Sequence, residues 1–397
     1  VQIATIILAG GQGTRLSPLT LHHAKPAVSY GGRYRLIDIP ISNAINSGYK
    51  EIFLIAQYQA AELQHHVATS YRFDPFHSGF IDVITPEKEW FQGTADAIRK
   101  SLPTLLKTAA SHFLILSGDH LYNFNFSSFV DFAIEKRADL AIASLPVLEQ
   151  EARRFGLLNI DPSQKILEFA EKPEDPRPFL LRNQPDHYLA SMGIYLFKRE
   201  ALIDLLEQDK REDFGRHLIG TLIAKQTSYA YLYQGYWEDI GTVASYYQAN
   251  INLTKSAKGL NTYDEANPIY THPIFLPGPK VIDTRVSHSI LCEGSYIEAA
   301  EISGSIIGLR SRIGRSTTIR DSVLMGNSLY LAPNHPHQIG KNCLIERAII
   351  DEHVHIGDNV KLVNSKNLCH YDGDGVYIRD GIVIVTARAN IPDNFVL

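Results

Sequence analysis

The sequence predicts an α/β protein of two unlike parts: a domain with a doubly wound, mostly parallel (Rossmann-like) sheet, followed by a domain of stacked short strands. Three observations predict it. Apolar, strand-like runs alternate with amphipathic helical patterns over residues 1–254, the alternation that builds parallel sheets. A turn-rich linker, 255–280, breaks that alternation with Asn267-Pro, His272-Pro and Pro277-Gly-Pro-Lys. Beyond it, over 281–397, apolar residues recur every six positions, often followed by glycine, the mark of hexapeptide repeats coiled into a β-helix.

The first element is the β-branched strand Thr5–Ala9, which runs into Gly10-Gly11-Gln12-Gly13-Thr14-Arg15. Without a Cβ, glycines let backbone N–H groups come close to an anion. Arg15 adds a guanidinium that keeps its charge and suits phosphate oxygens. The stretch lacks the third glycine of a dinucleotide fingerprint and the Gly-Lys-Ser/Thr of a Walker A loop. A plain turn with an exposed arginine is the alternative. Its position after the first strand, where open α/β sheets bind ligands, favours a binding loop.

Further strands are predicted at Glu51–Ala56, His112–Ser117, Leu140–Pro146 and Tyr229–Tyr233, with helices at Ala95–Thr108 and Phe126–Arg137 to cover the sheet. In the second part Leu291 and Ile297 keep a spacing of six, as do Ile307, Ile313 and Ile319. The rhythm resumes at Ile339 and Ile345, then at Ile350, Ile356 and Leu362. Coils of this kind cannot bury their apolar side singly and share one core when stacked. Ser328–Gln338, with Pro333 and Pro336, reads as a loop ejected from one coil; a β-sandwich is the alternative for this half.

Composition narrows the function. The 397 residues leave room for two or three domains, and 45% hydrophobic with 20% charged residues is ordinary for a globular chain. A net charge of −5 and a pI near 6.4 give no footprint for nucleic acid. No apolar run approaches the roughly 20 residues that span a bilayer, so no membrane partner is expected. The opening Val1–Ala9 lacks the basic flank and cleavage site of a secretory signal. Cys292, Cys343 and Cys369 make neither a disulfide framework nor a zinc pattern, so a cytoplasmic location is expected, with a plastid as the alternative.

Asp119, in Ser-Gly-Asp-His at a strand end, is the foremost catalytic candidate, placed to hold Mg²⁺, which seeks oxygen ligands. A turn or cap aspartate is the plainer alternative. Asp239, in Tyr-Trp-Glu-Asp-Ile-Gly, could share the cation if the sheet brings the two carboxylates together. Lys25 and Lys172, each before a proline, could neutralise phosphate; surface lysines are the alternative. Gln92, in Trp-Phe-Gln-Gly-Thr-Ala-Asp-Ala, could pair with a nucleobase edge, with a helix cap as the rival account of Thr94. The pairs His22-His23, His65-His66 and His353-x-His355 lack a metal-site carboxylate at His-Glu-x-x-His spacing and receive no role.

Together the motifs resemble the ADP-glucose pyrophosphorylase (glucose-1-phosphate adenylyltransferase) family, from Leu8 to the C-terminus. The resemblance rests on Leu-Ala-Gly-Gly-Gln-Gly-Thr-Arg-Leu, Ala-Lys-Pro-Ala-Val, Tyr-Arg-Leu-Ile-Asp-Ile-Pro-Ile-Ser-Asn and Trp-Phe-Gln-Gly-Thr-Ala-Asp-Ala. Ser-Gly-Asp-His-Leu-Tyr, Phe-Ala-Glu-Lys-Pro, Ala-Ser-Met-Gly-Ile-Tyr, Asp-Phe-Gly and Gly-Tyr-Trp-Glu-Asp-Ile-Gly-Thr continue it, with a plant and cyanobacterial flavour. It implies a nucleotidyltransferase domain followed by a left-handed parallel β-helix. It implies transfer of AMP from ATP to α-D-glucose 1-phosphate, giving ADP-glucose, a glucosyl donor for glycogen or starch, and pyrophosphate.

Carried over by motif, Leu8, Ala9, Gly10, Gly11, Gly13, Thr14, Arg15, Lys25, Gln92 and Gly93 would bind ATP. Gly156, Glu171, Lys172 and Ser191 would bind glucose 1-phosphate. Asp119 and Asp239 would hold Mg²⁺, and Arg15, Lys25 and Asp119 would be catalytic. Relatives are usually tetramers controlled by a sugar phosphate or phosphoglycerate bound between the domains; a homotetramer is expected here. Arg33, Arg35, Arg310, Lys361 and Arg388 are the candidate effector residues. Two features depart from the plant-type pattern and bear on effector identity. Arg388 stands where lysine is usual, and Gln64–Ser70 lacks two arginines. The alternatives are a UTP- or dTTP-preferring enzyme, a non-catalytic regulatory subunit, and an acyltransferase suggested by the hexapeptides alone.

Overall fold

The computed structural model describes residues 1–74, 79–181, 184–255, 259–330 and 338–397. Ile3–Ala9 is apolar on both faces and correspondingly lies inside a nine-stranded sheet, buried along nearly its whole length. It pairs in parallel with Glu51–Ala56 on one side and His112–Ser117 on the other. Phe80–Ile84 extends the parallel run at the edge. Helices Asp38–Asn46, Ala60–Ser70 and Phe126–Glu135 contribute to the core on one face, and Thr94–Leu105 and Arg199–Gln208 to that on the other. The winding is therefore double, as the alternation predicts. The predicted helix Ala95–Thr108 stops short, at Leu105, after carrying Pro103 inside its last turn.

The sheet is more mixed than expected. His187–Lys198, its longest strand, runs antiparallel to both His112–Ser117 and Leu140–Leu148. One of its edges pairs with Leu140–Leu148 over most of its length. The other is divided: it meets Gly156–Ile160 only at Ala190↔Leu157 and His112–Ser117 only from Tyr195 onward. Between them the register slips from Ser191 to Ile194, and Gly193 takes a left-handed backbone with φ of 68°. A bulge with a glycine at positive φ bends a strand away from its neighbour. Here it opens the sheet beside the end of His112–Ser117.

Of the predicted linker, residues 256–258 lie outside those described; the rest, as far as Pro279, carries no strand or helix among the described residues. It is nonetheless fastened. Tyr270 N–H donates to Ser42 Oγ at 2.8 Å, Tyr71 donates to Tyr270 O at 2.9 Å, and Asn46 donates to Pro268 O at 3.0 Å.

The second part is a three-sided coil. One side stacks Lys280–Val281, Tyr296–Ile297 and Arg312–Ile313, and another Arg285–Ser287, Glu301–Ser303 and Thr318–Arg320, all in parallel. The third stacks Ile290–Leu291, Ile306–Ile307, Val323–Leu324, Ala348–Ile350 and Ile382–Val385. Ile297, Ile302, Ile307, Ile313, Ile319 and Leu324 are all buried in its core. The sequence rhythm is thus one apolar residue per side, with some sides five residues apart instead of six. Thr318 pairs with Leu344 and Leu344 with Lys361, so the coil between the first two holds surplus chain. The ejected loop is expected at Ser328–Gln338, of which residues 331–337, with Pro333 and Pro336, lie outside those described.

The two parts share a core. Tyr246, Tyr247 and Ile251 of helix Val243–Asn252 pack with Ile306, Val323, Ile349 and Ile384 of the third side. Tyr247 donates to Asp321 O at 2.6 Å and Leu309 N–H to Gly32 O at 3.1 Å. No described helix is long and apolar enough to cross a membrane.

Candidate active site

A cleft of about 570 Å³ opens at the carboxyl end of Ile3–Ala9. Leu8, Ala9, Gly10 and Gly11 form one wall, and Gln92 and Gly93 another. A Cβ on Gly11 would meet nothing within 4 Å, so its backbone faces open space. Gly13 is different. Its φ of 67° is left-handed, and a Cβ there would sit 2.9 Å from Lys25 Cβ. That turn starts the short helix Thr14–Leu16. Consequently Gly13, Thr14 and Arg15, expected in the phosphate wall, are not among its lining residues. Arg15 is exposed, with its guanidinium beside Gly241, which the Asp239 carboxylate also flanks.

The carboxylates meet through strand register. Trp237–Asp239 pairs antiparallel with His120–Tyr122, which sets Asp239 opposite His120, and Ile240 N–H donates to Asp119 O at 3.3 Å. Ligand atoms of Asp119, His120 and Asp239 lie within 4.8 Å of one another. Lys25 forms an ion pair with Asp119, and Ser117 donates a hydrogen bond to the same carboxylate. Burial alone would raise the Asp119 carboxyl, but the charges of Lys25 and His120 hold it below the usual carboxylate range. Two carboxylates suit the oxygen preference of Mg²⁺. The imidazole would add a nitrogen donor, which is more typical of transition metals.

The opposite wall comes from the divided half of the sheet. Glu171 ends Ile166–Glu171, and Lys172 follows with φ of 48°, a conformation uncommon outside glycine. Lys172 Nζ lies 3.6 Å from Glu171 Oε1. A Cβ on Gly156 would fall 2.8 Å from Glu171 Oε2, and one on Gly215 would fall 2.9 Å from its Cδ. The two glycines therefore make room for this carboxylate. Burial raises the Glu171 carboxyl above its ordinary value, opposed by Lys172. A smaller cavity of about 130 Å³ is lined by Gly156, Glu171, Lys172 and Ser191 together, and it reaches Asp239. The Ser191 hydroxyl accepts from Gly193 N–H at 3.2 Å, within the bulge.

Gln92 lines the large cleft but is exposed, and its amide donates to Trp90 O at 3.0 Å. Gly93 is held close: a Cβ on it would lie 2.5 Å from Glu212 O. Residues that sequence reasoning passes over also belong here. Gln57 accepts from Phe91 N–H at 2.9 Å and donates to Gly10 O at 3.1 Å, tying the two walls together. His120 stands between the carboxylates, 3.8 Å from Asp119 and 3.7 Å from Asp239. Its only sequence signal is its place after Asp119.

A second cavity, about 320 Å³, lies between the two parts. Arg33, Arg35 and Arg310 line it, along with His65 and His66. Lys361 and Arg388 are not among its lining residues. Lys361 sits on the coil before the last, and its N–H donates to Phe395 O of the last; Arg388 N–H donates to Glu352 O at 3.0 Å. The remaining histidine pairs make side-chain hydrogen bonds: His66 with Asp38 at 2.6 Å, His353 with Ser328 at 2.8 Å and His355 with Asn390 at 2.9 Å.

Residues 4–256 match the Nucleotidyl transferase family, and residues 274–396 match the GLGC left-handed parallel beta-helix domain. The first match covers the nine-stranded sheet with its cleft, and the second the three-sided coil, whose hand it gives. That pairing is characteristic of ADP-glucose pyrophosphorylase-like proteins. The chain belongs to the nucleotidyl transferase family, in the ADP-glucose pyrophosphorylase-like form that continues into a left-handed β-helix.

Proposed function

We propose that the protein transfers AMP from ATP to α-D-glucose 1-phosphate, giving ADP-glucose and pyrophosphate, with Mg²⁺ as cofactor. The observation that carries this reading is that the two cavities share His120, Glu171, Lys172 and Gly193, with Asp119 lining the larger and Asp239 the smaller. Glycine backbone and Lys25 line the larger cavity, Gly156 and Ser191 the smaller, and Glu171 and Lys172 line both. Such a site suits two phosphorylated substrates approaching the same point.

A sugar phosphate oxygen attacks the α-phosphorus of ATP; the new P–O bond forms as the bond to the β-phosphate oxygen breaks, and pyrophosphate leaves with its electron pair. The nucleophile is already anionic, so no general base is needed. The protein has to align two polyanions and offset their repulsion. Gly10 and Gly11 admit the triphosphate to the backbone, while Lys25 and Lys172 bring positive charge from opposite walls. Arg15, beside Gly241, stands to neutralise the departing pyrophosphate. Mg²⁺ held by Asp119 and Asp239 would supply charge neutralisation at the phosphate oxygens. Glu171, its carboxyl raised by burial and opposed by Lys172, suits a hydrogen bond to a sugar hydroxyl. The inter-domain cavity with Arg33, Arg35 and Arg310 suits a phosphorylated effector such as a sugar phosphate or phosphoglycerate. The assembly we infer is a homotetramer that supplies ADP-glucose for glycogen or starch, in the cytoplasm.

The test is pyrophosphate release from purified protein with glucose 1-phosphate and each of ATP, UTP, dTTP and GTP, with and without Mg²⁺. ATP should give the highest kcat/KM. Preference for UTP or dTTP would replace ATP in the assignment, and no release with any nucleotide would make the chain a regulatory subunit.

A further inference from the structure

The segment that carries Lys25 is gripped from both parts of the molecule. Glu62, on helix Ala60–Ser70, accepts from Ala24 N–H at 3.1 Å and pairs with His23 Nδ1 at 2.9 Å. Its carboxylate also takes Arg35 Nη1 at 3.1 Å, and Arg35 in turn donates to Ala27 O. Lys25 is therefore flanked on each side by contacts that converge on Glu62. From the β-helix, Asp351 approaches the other ring nitrogen of His23, Nε2, at 3.5 Å. The side chains of His23 and Asp351 are 12% and 1% exposed, so water offers little compensation for either.

Charge explains why this contact matters. Arg35 is shared by two carboxylates, Glu62 at 3.1 Å and Glu352 at 3.8 Å, and Asp351 adds a third negative charge beside His23. A cationic His23 restores much of the balance, and a neutral one would leave Asp351 buried without a countercharge. Burial alone would lower the His23 pKa, but Asp351 and Glu62 win and raise it to about 10, which makes the ring a cation at neutral pH. The Asp351 carboxylate is otherwise fixed by Glu352 N–H at 2.7 Å.

We propose that His23 is a positioning residue for Lys25 and that Asp351 of the β-helix anchors it, so the second domain takes part in aiming the lysine at Asp119. This rests on the role given to Lys25 above. His23 touches no proposed substrate site; it acts through two residues of backbone and through Glu62. The β-helix in this view is part of the catalytic scaffold as well as its neighbour.

The experiment compares the full chain with His23→Gln, Asp351→Asn, the double variant and His23→Arg. Lys25 labelling by an amine-reactive reagent, followed by mass spectrometry, reads the lysine directly and needs no turnover. Labelling should speed up at least threefold in His23→Gln and Asp351→Asn, and should stay near wild type in His23→Arg, which keeps the cation. In steady state, kcat should fall about tenfold in the first two, with KM for glucose 1-phosphate within twofold. The double variant should be no worse than the poorer single one. Unchanged labelling in both single variants, or fully additive losses in the double, would overturn the proposal. If the wild type releases no pyrophosphate, the functional reading fails while the labelling result still decides this one.

Discussion

Lys25 and Asp119 lie 94 residues apart in sequence yet form one ion pair, with Ser117 bonded to the same carboxylate. The lysine comes from a short helix after the glycine loop and the aspartate from the end of His112–Ser117. A carboxylate so placed keeps its charge at any ordinary pH, and the lysine is kept from straying into solvent. Both members of the pair line the larger cavity.

Replacing that carboxylate should therefore remove chemistry and spare the fold. Asp119→Ala is expected to lower kcat by about two to three orders of magnitude, the usual scale for losing a preorganised charge at the reacting centre. Far-UV circular dichroism should be unchanged. Turnover near wild type would remove Asp119 from the mechanism.

Lys172 is half-exposed, with Glu171 3.6 Å from its ammonium. Lys172→Ala should raise KM for glucose 1-phosphate by about tenfold or more, the scale of a lost charge-assisted bond. KM for ATP should move little. Initial rates at saturating ATP distinguish this outcome from a general loss of activity.

His23 gives a pH-dependent stability of definite sign. Its folded pKa, about 10, is raised above the ordinary 6.5, so its contribution is whole below about 6.5 and fades as pH rises through about 10. Glu62, Asp351 and Glu352 act on the ring as acids, and Arg35 shares Glu62 and Glu352 with it. Thermal unfolding of wild type and His23→Gln should therefore converge as pH rises from 6.5 to 10. A gap that widens over this range would contradict it.

Gly32 lies where the two domains touch. Its φ is 73°, and a Cβ would sit 2.9 Å from Gly308 Cα and 3.0 Å from Cys292 Sγ. Gly32→Ala should destabilise by about 1–3 kcal/mol or more, from backbone strain and overpacking together. Gly48, with φ of 85° and nothing within 4 Å, should show the strain part alone, about 1–2 kcal/mol. Chemical denaturation of both variants measures the difference.

Long buried strands are legible in the sequence because their apolar runs are unbroken; Glu51–Ala56 and His112–Ser117 have the predicted bounds. His187–Lys198 is not, since the bulge at Ser191–Gly193 disrupts its alternation in mid-strand. The same bulge hides the geometry of the cavity that Ser191 lines with Glu171 and Lys172. The left-handed Gly13 turns the chain into the short helix Thr14–Leu16, which sets the Arg15 guanidinium beside Gly241, a placement that proximity in sequence does not give. His120 escapes any pattern based on spacing within a helix. Its neighbours are set instead by the pairing of Trp237–Asp239 with His120–Tyr122, a long-range register that local spacing does not encode.

The tyrosine-bearing helix Val243–Asn252 precedes the turn-rich segment in sequence, yet its side chains help to bury the third side of the coil. The seam between the modules therefore runs along that helix instead of through the linker. Splitting the gene product after residue 254 would bare greasy surface on both fragments and invite clumping. Chimeras built from two relatives should inherit Tyr246 and Tyr247 together with the coil they cover.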